Sequence, residues 1–242
     1  MVKIASFDIG IANLAYCILD SPEKGIYHIV HWDVIDIANP HVSNKICEGF
    51  TKAKNKSSEP KKCTRKAIHI IDNTHYCQLH NPDKKKYPIP KKRKVKSISQ
   101  ENLCIAMCKE LDSRPELLGV DHVYLENQPS KNPSMKNLSQ MIYNYFIIRG
   151  IVDPTEPQLK HVKFISAKHK LKVYTGPAVV TTLKGKYSQR KQLGKIYCRY
   201  ILENCETPQT DFITLFDSHG KKDDLADCYL QGLYILKFIL KC

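Results

Sequence analysis

The chain of 242 residues has one tryptophan, four methionines and no internal repeat. Its longest apolar run, Cys228 to Leu236, is interrupted by Gln231 and stops at Lys237. That is well short of the about 20 apolar residues a bilayer-crossing helix needs, which excludes membrane spanning. The opening segment MVKIASFDIG sets an aspartate inside its apolar stretch and lacks a small-residue cleavage site, so no cleaved secretory signal is expected. Ten cysteines without an export signal read as reduced thiols or metal ligands, not as a disulfide framework, and place the chain in an intracellular, reducing compartment. Regular CxxC pairs are also missing, and no acid at all occurs between Lys160 and Tyr200.

What is present fits a globular protein: 42% hydrophobic and 26% charged residues leave room for a sizeable core, in one large domain or one domain with an insert. The formal net charge of +14 is unevenly spread. Lys45 to Lys96 carries 16 Lys and Arg against 4 Asp and Glu, and the acid-free stretch from Lys160 to Tyr200 carries 11 Lys and Arg. The rest of the chain is therefore net acidic. Two basic blocks around an acidic remainder suit a polyanion held near a carboxylate cluster, and nucleic acid is the expected partner.

Apolar runs bounded by turn residues predict strands at Val2–Phe7, Leu14–Leu19 and Ile26–Ile37, a β-meander. Residues 39–96 break the pattern with five prolines, three cysteines and a dense run of lysines, and read as a basic Cys/His-rich insert; 1–38 and 97–242 form the main domain. Helical spacing resumes over Ser99–Leu111, with Ser99 placed to cap it. A fourth strand follows at Val120–Leu125, then a core-facing stripe of Leu138, Met141, Ile142, Tyr145 and Phe146. A short strand at Val162–Ile165, a basic helix over Ser188–Glu203 and a nearly all-apolar helix over Asp224–Leu240 complete an α/β fold, a mixed sheet flanked by helices.

Carboxylates fall at the ends of these elements. Asp8 ends the first strand, Glu126 ends the fourth, and Asp224 and Asp227 lie three apart, on one face of the last helix. If the first and fourth strands are neighbours, Asp8 and Glu126 meet as well. Four such groups repel unless cations neutralise them, and hard oxygen donors suit Mg²⁺ or Mn²⁺. Two ions about 4 Å apart would clamp a scissile phosphate, which is nuclease chemistry. Singly, each acid has a plainer role at a turn, a strand end or a helix start. Asp227 does not, because it lies one turn into an apolar helix where an unpaired carboxylate is costly.

The segments DIGIANLAYCILD (Asp8 to Asp20), LENQPSKNPSMKNLSQMIYNYF (Leu125 to Phe146), YSQRKQLGK (Tyr187 to Lys195) and KKDDLADCYLQGL (Lys221 to Leu233) together resemble the poxvirus-type Holliday junction resolvases. These are relatives of bacterial RuvC and the fungal mitochondrial resolvases in the RNase H-like superfamily. The resemblance spans nearly the whole chain outside the insert. It implies an RNase H-like fold and a Mg²⁺-dependent endonuclease, acting as a homodimer, that nicks two opposed strands of a four-way junction and leaves ligatable ends. Matched by motif, Asp8 is the first-strand acid, Glu126 the acid of the ENQP-like motif, and Asp224 and Asp227 the final pair; Asp223 is the ambiguous neighbour. Asn127, Gln128, Lys131 and Asn132 follow the second acid and would hold DNA phosphates. Lys186, Arg190, Lys191 and Lys195 form a basic stripe suited to a junction arm, and Lys222 is near enough in sequence to the metal pair to steady the reacting phosphate.

Within the insert, Cys77 and His80 form CxxH, and Cys47 and Cys63 complete a Cys₃His set for a structural Zn²⁺. The insert has too few large apolar residues to fold on burial alone, so a bound ion would supply the missing stability. Its CTRKA and YCQLH segments resemble a Cys/His insert in resolvases of some large DNA viruses. The other cysteines read as core residues, as does Trp32. PKKRKV (Pro90 to Val95) fits nuclear import or nonspecific backbone binding at a viral replication site. Two competing functions remain: a noncatalytic zinc-containing DNA-binding protein on the same fold, and an RNase H-like nuclease for hybrids or flaps.

Overall fold

The computed structural model describes residues 1–39, 46–51, 59–65, 67–89, 98–128, 132–205 and 209–242. They form two compact units, Met1–Ile37 with Glu101–Cys242, and Ala38–Gln100.

In the larger unit, β1 (Val2–Asp8), β2 (Leu14–Ser21) and β3 (His28–Ile35) are the expected meander. The turn between β1 and β2 is tight: a Cβ on Gly10 would lie 2.6 Å from the Asn13 carbonyl oxygen. Two further strands, β6 (His122–Glu126) and β7 (His161–Ile165), add in parallel on the other side of β1, giving the order β3-β2-β1-β6-β7. The intervening β4 (His69–Ile71) and β5 (Thr74–Tyr76) belong to the smaller unit.

Alternation along the strands decides which helices each face meets. Phe7 of β1 points to the face covered by α2 (Pro133–Ile147), where its ring lies 5.4 Å from Phe146 and 5.9 Å from Tyr16. Asn132 caps α2, its side-chain oxygen accepting from Met135 N, with Pro133 in the first turn. Ile4, Cys17, Leu19 and Tyr124 point to the opposite face. There they pack with α3 (Lys186–Asn204), α4 (Thr210–Ser218) and α5 (Lys222–Tyr234). Trp32 is buried in that layer, stacked on Phe216 at 5.6 Å, with its Nε1 donating to the Leu225 carbonyl at 3.1 Å. The core cysteines Cys17, Cys198 and Cys228 lie in the same layer.

The helix α5 approaches the sheet closely because Gly232 has no side chain: a Cβ there would meet Leu19 Cδ1 at 2.6 Å. Immediately before it, the buried Gln231 amide donates to Ser6 Oγ (3.0 Å) and to the Phe7 carbonyl (3.2 Å). These bonds fix the register of α5 on β1 beside Asp8. The helix then continues as a wider π-helical turn over Ile235–Leu240. Sequence periodicity missed α4, although Phe212, Leu215 and Phe216 repeat at helical offsets.

In the smaller unit, β4 and β5 form a hairpin whose two loop residues, Asp72 and Asn73, both have positive φ (47° and 63°). That conformation matches the right-handed twist of the strands and is one that Asp and Asn tolerate well. Helix α1 (Gln100–Asp112) follows at the boundary and buries Leu103, Met107 and Leu111. No helix among the described residues is long and apolar enough to cross a membrane.

Candidate functional site

Because β1 and β6 pair in parallel, with Ser6 opposite Tyr124 and Phe7 opposite Leu125, the next residues of each strand, Asp8 and Glu126, end side by side. Both have the strand parity of Ser6 and Tyr124, so both point to the face that α5 covers. On α5, Asp224, Asp227 and Gln231 share one helical face, and the Gln231 bonds to β1 turn that face toward Asp8. The four acids thus converge in one cleft of about 340 Å³, lined also by Ala167, Lys170, Leu171, Tyr187, Arg190 and Lys191.

The carboxylates perturb one another. Burial pushes Asp8 well above the usual carboxylate range, reinforced by its hydrogen bond to Glu126 and by the charges of Glu126 and Asp227. Burial also raises Asp227, against the pull of Lys170, and raises Asp224, helped by the neighbouring Asp223. Asp223 itself is turned away. Its Oδ2 meets Lys191 Nζ at 2.5 Å, and that bond outweighs burial and holds Asp223 below its ordinary value.

Lys170, which the sequence reading did not single out, lies on a 3₁₀ segment, Ala167–Val173, directly after β7. Its Nζ is 2.8 Å from Asp227 Oδ2, and its side chain is only 11% exposed. Burial works against its charge, but Asp227, Glu126 and Asp8 together raise it above the ordinary lysine value. Lys222, by contrast, is not among the described residues that line the cleft.

The predicted DNA-contacting residues separate. Arg190 and Lys191 line the cleft, whereas Lys186 and Lys195 sit exposed on α3 away from its lining. Asn127 uses its backbone N–H to reach the Ile165 carbonyl (2.8 Å), and its side chain is exposed; Gln128 is half-buried. Asn132 serves as the α2 cap, while Lys131 and the PKKRKV segment lie outside the described residues.

A second constellation occupies the smaller unit. One donor atom from each of Cys47, Cys63, Cys77 and His80 lies within 4.8 Å of the others, a set that can hold a metal ion. The sulfurs of Cys63 and Cys77 are 3.9 Å apart, and His80 Nδ1 is 3.4 Å from Cys47 Sγ and 3.5 Å from Cys77 Sγ. Burial disfavours the Cys77 thiolate, yet backbone N–H groups of His80 and Leu79 with the neighbouring thiols bring its pKa down to about 7. Gly49 leaves space for the imidazole: a Cβ there would sit 2.7 Å from His80 Cγ.

This architecture is an RNase H-like one. Over 99% of this chain and 81% of its own, the yeast mitochondrial Holliday junction resolvase Ydc2 superposes with a TM-score of 0.55 at 14% identity, a likeness of fold. The fowlpox virus Holliday junction resolvase aligns over 97% of this chain and 98% of its own, at a TM-score of 0.47 and 15% identity. No protein-family model matches the chain. It belongs to the same family as the uncharacterized protein L451 of Acanthamoeba polyphaga mimivirus, which is 30% identical over 99% of this chain and 75% of that protein.

Proposed function

We propose that the chain is a metal-dependent endonuclease that resolves four-way DNA junctions, cutting opposed strands as a homodimer. The carrying observation is the convergence of Asp8, Glu126, Asp224 and Asp227 in one cleft whose wall is Lys170, Arg190 and Lys191. The donor set fits divalent cations: four clustered carboxylates face a single buried ammonium, Lys170, which leaves excess negative charge that oxygen-preferring ions such as Mg²⁺ or Mn²⁺ would neutralise. Asp8, Glu126, Asp224 and Asp227 would hold two such ions, which when bound supply water activation and charge neutralisation at the phosphodiester.

The chain's own groups do the rest. Lys170 pulls Asp227 toward its ionised form against burial and offsets part of the repulsion among the acids. Arg190 and Lys191 offer the phosphate backbone two cations at the cleft wall. Lys191 is held by Asp223 and lies 5.3 Å from the centroid of the Tyr187 ring, so it is positioned before DNA arrives. Paired nicks on opposed strands need two such clefts, hence two copies of the chain. Residues 39–96 are an insert on this nuclease domain.

The Cys/His set supports a structural Zn²⁺. In a zinc tetrahedron with Zn–S of about 2.3 Å, ligand sulfurs stand roughly 3.8 Å apart, close to the 3.9 Å between Cys63 and Cys77. The mimivirus relative fits a role at a site of viral DNA replication.

The decisive experiment incubates purified protein with Mg²⁺ and a synthetic four-way junction. Paired nicked duplexes are expected. Asp227→Asn should bind the junction without cutting it, and cleavage equal to the parent would remove that acid from the mechanism. Faster cutting of hybrids or flaps than of junctions would replace the junction reading with the nuclease alternative.

A further inference from the structure

The smaller unit presents a face that its four metal-ligating side chains do not use. Its segments 46–51 and 61–65 run antiparallel: Cys47 N donates to the Arg65 carbonyl, Cys63 N to Gly49 and Thr51 N to Lys61, each at 2.8 Å, and Phe50 stands opposite Lys62. Cys47 and Cys63 therefore share the face that meets His80. By alternation, Ile46, Glu48 and Phe50 lie on the other, with Lys62 across from Phe50.

Glu48 ties that face to the hairpin. Its carboxylate accepts from His75 N at 3.3 Å and stands 3.4 Å from His75 Nδ1. Ile70 is the cross-strand partner of His75, so it falls on the same side. Ile46 and Phe50 thus flank Glu48 along its strand and Ile70 pairs with His75, and they are 59%, 57% and 56% exposed. The unit leaves five large apolar side chains in water among its described residues, Leu79 and Ile89 besides these three, so its coherence rests on the Cys/His cluster, and the three gathered on this face are open to a partner.

Charge selects the partner. The segment Lys45–Lys96 carries 16 basic residues against 4 acidic, and Glu48 is already engaged by His75. A polyanion that also offers flat apolar surfaces is nucleic acid with unpaired bases, because paired duplex turns only its phosphates and groove edges outward. The geometry points to this face as a contact for unpaired bases of DNA, with Phe50 stacking on a base and Lys62 meeting the adjoining phosphate. The assignment rests on the junction-nuclease reading and deepens it: the Cys/His unit grips opened strands, and the carboxylate cleft cuts.

The test uses the full-length, zinc-loaded protein in buffer without magnesium. Two probes of equal length are compared, a fully paired duplex and a gapped duplex carrying 2-aminopurine at an unpaired position. Phe50→Ala should weaken binding to the gapped probe about ten-fold, abolish the quenching of 2-aminopurine and leave the paired duplex nearly unaffected. Lys62→Gln should weaken the gapped complex and lower its salt dependence. Metal content equal to the parent's shows that each variant keeps its fold. Unchanged affinity of Phe50→Ala for the gapped probe overturns the assignment, as does equal loss on both probes. So does a fall in thermal stability at constant affinity, which would assign the face to packing within the chain. Failure of the nuclease reading looks different: parent protein that binds the gapped probe yet leaves four-way junctions uncut in Mg²⁺.

Discussion

Replacing Lys170 with methionine preserves the length of the side chain and removes the one buried cation facing the acids. Deleting one partner of a buried ion pair costs about 3–5 kcal/mol, because the other charge is left uncompensated. Asp227 is 20% exposed, so solvent screens part of the uncompensated charge and the lower end of that range applies at alkaline pH, where the carboxylate stays ionised. The sign of the pH dependence follows from the direction of the shifts. Asp8 and Asp227 are already raised above their unfolded values, so the folded state binds more protons than the unfolded one. Stability therefore falls as pH rises through that window, and removal of Lys170 raises both groups further and deepens the fall. Lysine's own titration lies above the ordinary lysine value and does not enter below pH 9. In chelator, Lys170→Met should cost about 3 kcal/mol at pH 8, and the deficit should shrink on acidification as the raised carboxylates take up protons and the uncompensated charge disappears. Urea melts at pH 6, 7 and 8 measure it, and millimolar Mg²⁺ should restore part of the loss at pH 8 by binding the folded state alone. A deficit that is the same at all three pH values would show that Lys170 contributes packing and not charge, and would refute the reasoning.

Gly232→Ala should destabilise by about 1–3 kcal/mol in thermal melts, since its methyl would press on buried Leu19 and Ser6 and lift α5 from β1. The same variant should lose cleavage more than it loses DNA binding, because α5 carries two of the acids. Asp121 receives Lys160 Nζ and Lys3 N–H, both at 2.8 Å; these outweigh burial and depress its pKa. Its contribution is present above the unfolded carboxylate value and lost as pH falls through the lower folded one, so Asp121→Asn should cost about 1 kcal/mol at pH 7 and flatten the acid limb of the stability curve. Metal analysis should return about one zinc per chain, and Cys77→Ser should reduce it. Stripping that metal should open the smaller unit to protease within 46–89 while the larger unit keeps its thermal transition.

Much of this was legible because strands and helices announce themselves by period, and because Asp227, one turn into an apolar helix, has no plainer role and so draws the other acids into one site. The register of β1 on β6 then needed only one fact the sequence lacks, that strands far apart along the chain are parallel neighbours. Two residues escaped for instructive reasons. Gln231 read as a mere interruption of an apolar run, yet it is the bond that orients Asp224 and Asp227 toward β1. Its signal was its spacing, seven residues after one acid and four after the other, a polar position on the acids' own stripe. Lys170 was hidden among Lys163, Lys168 and Lys172. What distinguishes it is the 3₁₀ repeat of three, which aligns it with Ala167 in the cleft and with buried Val173.

Lys222 shows the converse, since nearness in sequence to Asp224 and Asp227 did not bring it to the cleft. On α5 it is two residues from Asp224 and five from Asp227, spacings that place it on another side of the helix from both. The cation that the acids require comes instead from the segment after β7, on the opposite wall, where its ammonium can face Asp227. A site assembled from two strand ends, one helix and one 3₁₀ turn thus depends on α5 keeping its register. Gln231→Leu, which fits the buried volume but breaks both bonds to β1, should therefore reduce cleavage while leaving Asp8, Glu126, Asp224 and Asp227 chemically intact. Cleavage equal to the parent's by that variant would show that packing at Gly232 alone sets the helix.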